Sequence, residues 1–136
     1  MARWILSSLL GLSLCGVSVG AHHSIAAVYD STKRVKVEGV VTRFQFTNPH
    51  PLLMIDVSDA SGAVREWRLE MDNRSELAGV GVTTATFKAG DRVVVTGSLA
   101  REQANGLYIQ RLDRPSDGFW YEQVGGSPRI RGTRDR

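Results

Sequence analysis

Between Arg34 and Leu112 the chain is a succession of short stretches in which apolar and polar residues alternate, each closed by turn-forming residues. A period of two places successive side chains on opposite faces of a strand, so this region must bury one face of a sheet. In the first stretch Val35 and Val37 lie on one phase and Val40, Thr42, Phe44 and Phe46 on the other. The change falls at Gly39, where the sequence predicts a bulge or sharp bend. Thr47-Asn48-Pro49-His50-Pro51 then breaks the strand, and Leu53, Ile55 and Val57 alternate with Met54 and Asp56 in a second. Asp59-Ala60-Ser61-Gly62 has turn chemistry. It leads to a third strand with Trp67, Leu69 and Met71 on one face and Arg68 and Glu70 on the other.

One short helix interrupts the strands. Asn73 followed by Glu76 has the spacing of a capping box, and Leu77 and Val80 give a narrow apolar stripe. Lys88-Ala89-Gly90-Asp91 turns into the β-prone run Arg92 to Gly97, and Ala104-Asn105-Gly106 turns into Leu107 to Leu112. The order β-β-β-α-β-β predicts a mainly β domain, a small OB-fold-like five-stranded barrel with one short helix. A six-stranded or open barrel fits the same pattern.

The ends differ from this middle. Residues 1–21 carry Arg3, an uncharged apolar or small stretch from Trp4 to Val19, and small residues at Val19-Gly20-Ala21. That is the pattern of a cleaved signal peptide, too short and too serine-rich for a membrane span. The single cysteine, Cys15, lies inside it, so the processed chain has no thiol for disulfides, catalysis or zinc. Residues 22–33 read as an N-terminal extended segment, 34–115 as the OB-like domain, and 116–136 as a C-terminal flap and flexible Arg-rich tail. Phe119-Trp120-Tyr121 would be the flap over an open barrel end, in preference to a partner-docking patch.

The whole chain carries a formal charge of +3. Its positive balance lies at the ends: without Arg3 and the last eight residues, which hold four arginines and Asp135, 12 basic residues face 13 acidic ones. A near-neutral, exported domain is not expected to bind nucleic acid, nor a membrane after signal cleavage. There is no Gly-x-Ser-x-Gly elbow, phosphate-binding glycine loop or His-Glu-x-x-His helix, and no histidine lies within an expected strand or helix. The chain therefore reads as a binder and not as an enzyme.

The histidines are the candidate chemistry. Cleavage after Ala21 would start the processed chain His22-His23-Ser24, where the new amine and the His22 imidazole close one chelate ring. A third nitrogen from His50 or His23 completes a brace-like nitrogen set suited to copper. Cleavage after Gly20 would instead give Ala21-His22-His23, whose third-position histidine wraps Cu(II) or Ni(II) in a square plane with the amine and two amides. The metal candidates are thus His22, His23 and His50, with Cu(II) or a similar divalent ion as the ligand. His50 also has a structural reading, as a stiff residue between two prolines whose ring caps a carbonyl. Asn48 beside it and Tyr108 are possible ligand contacts, Tyr108 because it faces away from Leu107 and Ile109. Phe44, Phe46 and Trp67 are expected in the core, and Asp56, Glu66 and Glu70 on a solvated face.

Ala21-His22-His23-Ser24, Tyr29-Asp30, Val37-Glu38-Gly39-Val40-Val41, Thr47-Asn48-Pro49-His50, the Trp67 strand and Lys88 to Val95 together resemble the small secreted bacterial proteins of domain-of-unknown-function family 6152. The resemblance covers about residues 21 to 112 and implies a periplasmic β-barrel domain. It speaks to location and fold and leaves the activity open. The expectation is a periplasmic binding protein that takes Cu(II) through its N-terminal histidines and the Asn-Pro-His turn. The rival is a metal-free OB-fold module for a small ligand, a sugar or a periplasmic partner protein.

Overall fold

The computed structural model describes residues 24–131. The signal segment, His22, His23, Arg134 and Arg136 lie outside the described residues. The elements are α1 (Ile25–Val28), β1 (Tyr29–Gln45), β2 (Leu52–Ser58), β3 (Val64–Glu70), α2 (Arg74–Gly79), β4 (Arg92–Ala100), β5 (Gly106–Arg114), β6 (Phe119–Val124) and β7 (Ser127–Arg131). The protein is mainly β, with two short helices. The strands lie in the order β3-β2-β1-β4-β5-β6-β7 with antiparallel neighbours, and β3 also pairs with β5 in parallel over Arg68 to Glu70.

The alternation read from the sequence carries through β2 and β3. Leu53 and Ile55 are fully buried, as are Leu69 and Met71, while Val57 and Trp67 pack partly buried against the same core. In α2 the Asn73 side chain accepts the Glu76 N–H at 2.9 Å, and Leu77 is the residue the helix buries. Phe87, Val93, Val95, Leu107, Ile109, Leu112, Phe119 and Tyr121 complete the centre of the core. Phe44 and Phe46 pack against it, with Phe44 edge-on to Phe87 at 5.0 Å.

Three expectations are corrected. The phase of β1 does not change at Gly39: Val35, Val37, Gly39 and Val41 share the inner face, Val40 is exposed, and the register shifts between Val41 and Arg43 against β2. Adjacent valines at 40 and 41 fit either phase, which is why alternation misplaced the bulge. Of the segment 22–33 expected to be extended, the described part is not simply so, since Ile25–Val28 form a helical turn and Tyr29 and Asp30 already pair with Ala100 and Leu99 of β4.

The third correction is the largest. The stretch expected as flap and tail holds the β6–β7 hairpin, pairing Arg111 to Arg114 with Phe119 to Glu122 and continuing to Arg131. Gly125 and Gly126, both at positive φ, form its two-residue loop, a connection whose twist matches that of the strands it joins. Their glycine content signals a tight turn and not a loose tail. Phe119 and Tyr121 are buried in the core as strand residues.

Candidate functional site

The turn that carries His50 is fastened to the junction between β3 and α2. Met71 N–H donates to Pro51 O at 3.1 Å, and Arg74 N–H donates to Pro49 O at 2.9 Å. The Arg74 guanidinium also donates to Phe46 O at 3.2 Å and lies over the Phe46 ring at 4.9 Å. The two prolines flanking His50 fix their own φ and offer no N–H, so the turn supplies carbonyls and the junction supplies donors.

Within this clamp His50 Nδ1 lies 2.9 Å from Met71 O. A carbonyl only accepts, so Nδ1 carries the proton in the neutral ring and Nε2 presents its lone pair. The side chain is 26% exposed. The carbonyl-capping reading of His50 and the ligand reading are therefore compatible, because the cap uses one nitrogen and sets the tautomer that leaves the other as acceptor. Asn48 is exposed on the same turn.

Beneath the turn is a knot of tyrosines and carboxylates. Glu70, the last residue of β3, accepts the Tyr29 hydroxyl on Oε2 at 2.6 Å, and its Oε1 lies 3.9 Å from His50 Nδ1. Asp72 is buried and accepts two hydroxyls, Tyr108 on Oδ1 at 2.6 Å and Tyr121 on Oδ2 at 2.8 Å. The Tyr29 and Tyr108 rings pack at 5.6 Å. Burial raises the Tyr29 phenol well above its usual range, and the hydrogen bond to Glu70 and the charge on it add to this. Burial also raises Tyr108, with the Asp72 hydrogen bond next, and raises Tyr121, with the Asp72 charge next. All three remain protonated donors.

Tyr108 is thus not the exposed contact its strand phase suggested. It does point away from Leu107 and Ile109, but Tyr29 and Asp72 cover that side of β5 as well. Glu70 likewise leaves the solvated face on which it was expected. Local spacing does not mark Asp72, whose hydroxyl partners lie 36 and 49 residues away. The one available signal was an acid directly after the buried Leu69 and Met71 phase. Among the described residues, no group of three or more His, Cys, Asp or Glu is arranged to hold a metal ion.

Seven strands in one mainly β domain, with a clamped histidine turn over a tyrosine–carboxylate knot, define the class of molecule. The chain matches the model of a family of unknown function, DUF6152, over residues 11–109, and it belongs to that family. No curated protein matches it.

Proposed function

We propose that the protein is a periplasmic binding protein that captures Cu(II), or a similar divalent ion, with the nitrogen donors of its processed N-terminus and His50. The observation that carries this reading is the state of His50: Nδ1 is committed to Met71 O on a turn held by three backbone or ring hydrogen bonds, and Nε2 is the acceptor. Second, the N-terminal segment arrives at the same place, since Tyr29 and His50 face the two oxygens of one carboxylate, Glu70. His23 is six positions before Tyr29, so few residues separate the terminal donors from the strand residue that shares Glu70 with His50.

The scaffold for this site is, in our reading, an OB-like barrel built from β1 to β5. Its support is the circuit of pairings β1–β2, β2–β3, β3–β5, β5–β4 and β4–β1, which returns to the strand where it begins. Closing strands in this way pairs edges that would otherwise be free and leaves the loops at the ends for binding, with the β6–β7 hairpin extending outward from β5.

The test is a Cu(II) titration of exported, signal-processed protein alongside His22→Ala and His50→Ala. Each variant should bind more weakly than the parent chain. Affinity no tighter than that of a generic peptide, or unchanged in both variants, refutes the proposal.

A further inference from the structure

We infer that Asn105 is a site of spontaneous deamidation, where the side-chain amide converts to aspartate and isoaspartate, and that the isoaspartate form opens the seam between β3 and β5. Neither half of this depends on the copper reading. The seam is the parallel pairing of Arg68 with Gly106, Leu69 with Leu107 and Glu70 with Tyr108. It begins at the Arg68 N–H, which donates to Asn105 O at 2.9 Å. The Arg68 guanidinium adds a bond to Gln103 Oε1 at 3.2 Å, in the same β4–β5 loop.

The fold itself calls for a labile pair of residues at this turn. Asn105 has φ 57, the one non-glycine residue of positive φ among the described residues, a conformation that asparagine tolerates and most side chains do not. A Cβ on Gly106 would lie 2.9 Å from Ala100 Cβ and 3.3 Å from Gln103 O, and neither is the free end of a flexible side chain. The position after Asn105 is thereby confined to glycine. Asparagine is thermolabile, and it cyclises most readily before glycine, where no side chain hinders the following amide nitrogen.

The other two asparagines are closed to this chemistry. Asn48 precedes Pro49, whose nitrogen carries no hydrogen. The Asn73 side-chain oxygen accepts the Glu76 N–H at 2.9 Å and the Ser75 hydroxyl at 2.7 Å, and the nitrogen that would attack it belongs to Arg74, whose N–H donates to Pro49 O at 2.9 Å. The Asn105 carboxamide takes part in no hydrogen bond among the described residues, and the Gly106 N–H donates to Gln103 O at a long 3.3 Å. The four residues before Asn105 are exposed, so this loop opens locally at low cost.

On opening, Gly106 N loses its proton and bonds to Asn105 Cγ, the bond from Cγ to the side-chain nitrogen breaks, and ammonia leaves. Water then cleaves the cyclic imide at one of its two carbonyls. Cleavage at the former side-chain carbonyl leaves aspartate on an unchanged backbone, a residue that also tolerates positive φ. Cleavage at the main-chain carbonyl routes the chain through the side chain and lengthens it by a methylene. The oxygen that receives the Arg68 N–H then belongs to a carboxylate outside the main chain.

The experiment ages purified, folded protein in mildly alkaline buffer beside Asn105→Asp, Asn105→Gly and parent protein held unfolded in urea. Peptide mapping by mass spectrometry reads each asparagine, electron-transfer fragmentation distinguishes aspartate from isoaspartate, and urea midpoints are measured by circular dichroism on the separated forms. The folded parent should convert at Asn105 while Asn48 and Asn73 keep their amides. Its isoaspartate form should unfold at lower urea than the parent, and Asn105→Asp should stay close to the parent. Asn105→Gly, which keeps the left-handed turn without a carboxamide, should gain no isoaspartate. If Asn105 converts in urea and not in the folded chain, the fold protects it and the inference is refuted. Equal conversion at Asn73 in the folded chain refutes the assignment to this turn. If the isoaspartate form keeps the parent midpoint, the seam does not depend on that carbonyl and its opening is refuted.

Discussion

Alkaline pH should unfold this protein through its tyrosines. The chain has three, and each donates its hydroxyl to a carboxylate: Tyr29 to Glu70, and Tyr108 and Tyr121 to Asp72. All three phenols are raised well above their ordinary value of 10.0. Below that value the folded and unfolded chains both hold these protons, so stability does not depend on them. Above it the unfolded chain releases three protons that the folded chain keeps, and stability falls as pH rises. Each proton is worth about 1.4 kcal/mol per pH unit, so at about pH 11 the three together cost ~4 kcal/mol relative to neutral pH. That is comparable with the whole stability of a small domain. Urea denaturation followed by circular dichroism across this range, with tyrosinate absorbance recorded in parallel, measures the effect. Absorbance should rise only as the fold is lost, and Tyr121→Phe should reduce the slope by about a third, one proton of three. Tyrosinate appearing with an ordinary midpoint in protein that still has its native circular dichroism refutes the reasoning.

Other perturbations address single contacts. In Gly97→Ala the added Cβ would lie 2.1 Å from Tyr108 O and 2.5 Å from Leu107 Cδ2, so β4 and β5 must separate; a loss of about 3 kcal/mol is expected by chemical denaturation. Arg114 is fully buried, pairs with Asp117 at 2.8 Å and Asp91 at 3.2 Å, and lies over the Phe119 ring at 4.7 Å. Arg114→Ala should cost about 3–5 kcal/mol, and Arg114→Lys should recover little of it, because an ammonium cannot reproduce the fork of contacts. Asn73→Ala removes the α2 cap and should lower stability by about 1 kcal/mol in the same assay.

How far the sequence disclosed this molecule depended on whether a signal was local. The β2 and β3 faces and the Asn73 cap each involve residues a few positions apart, and they read correctly. Alternation also placed Tyr108 on the right face of its strand. It could not say that this face is covered, because Tyr29 and Asp72, which cover it, come from distant parts of the chain. The same holds for Glu70, whose partner Tyr29 lies 41 residues away. Composition misled at Gly125-Gly126-Ser127-Pro128, where a flexible-end reading overlooked a two-glycine hairpin loop between strands that bury Phe119 and Tyr121. His50 was legible as a candidate as one of three histidines and as a carbonyl cap from its prolines, yet the carbonyl it faces, Met71 O, lies 21 residues on.

The position of Tyr121 also sets an order of assembly. The turn at His50 is bonded to Met71, and the next residue, Asp72, receives its second hydroxyl from a strand 49 residues further along the chain. Contacts of such long sequence separation close late in folding, after the local hairpins. For a chain emerging N-terminus first, Asp72 therefore lacks its second hydroxyl partner until β6 arrives. The buried carboxylate one residue past the His50 clamp has both of its hydroxyl partners only when residue 121 is in place.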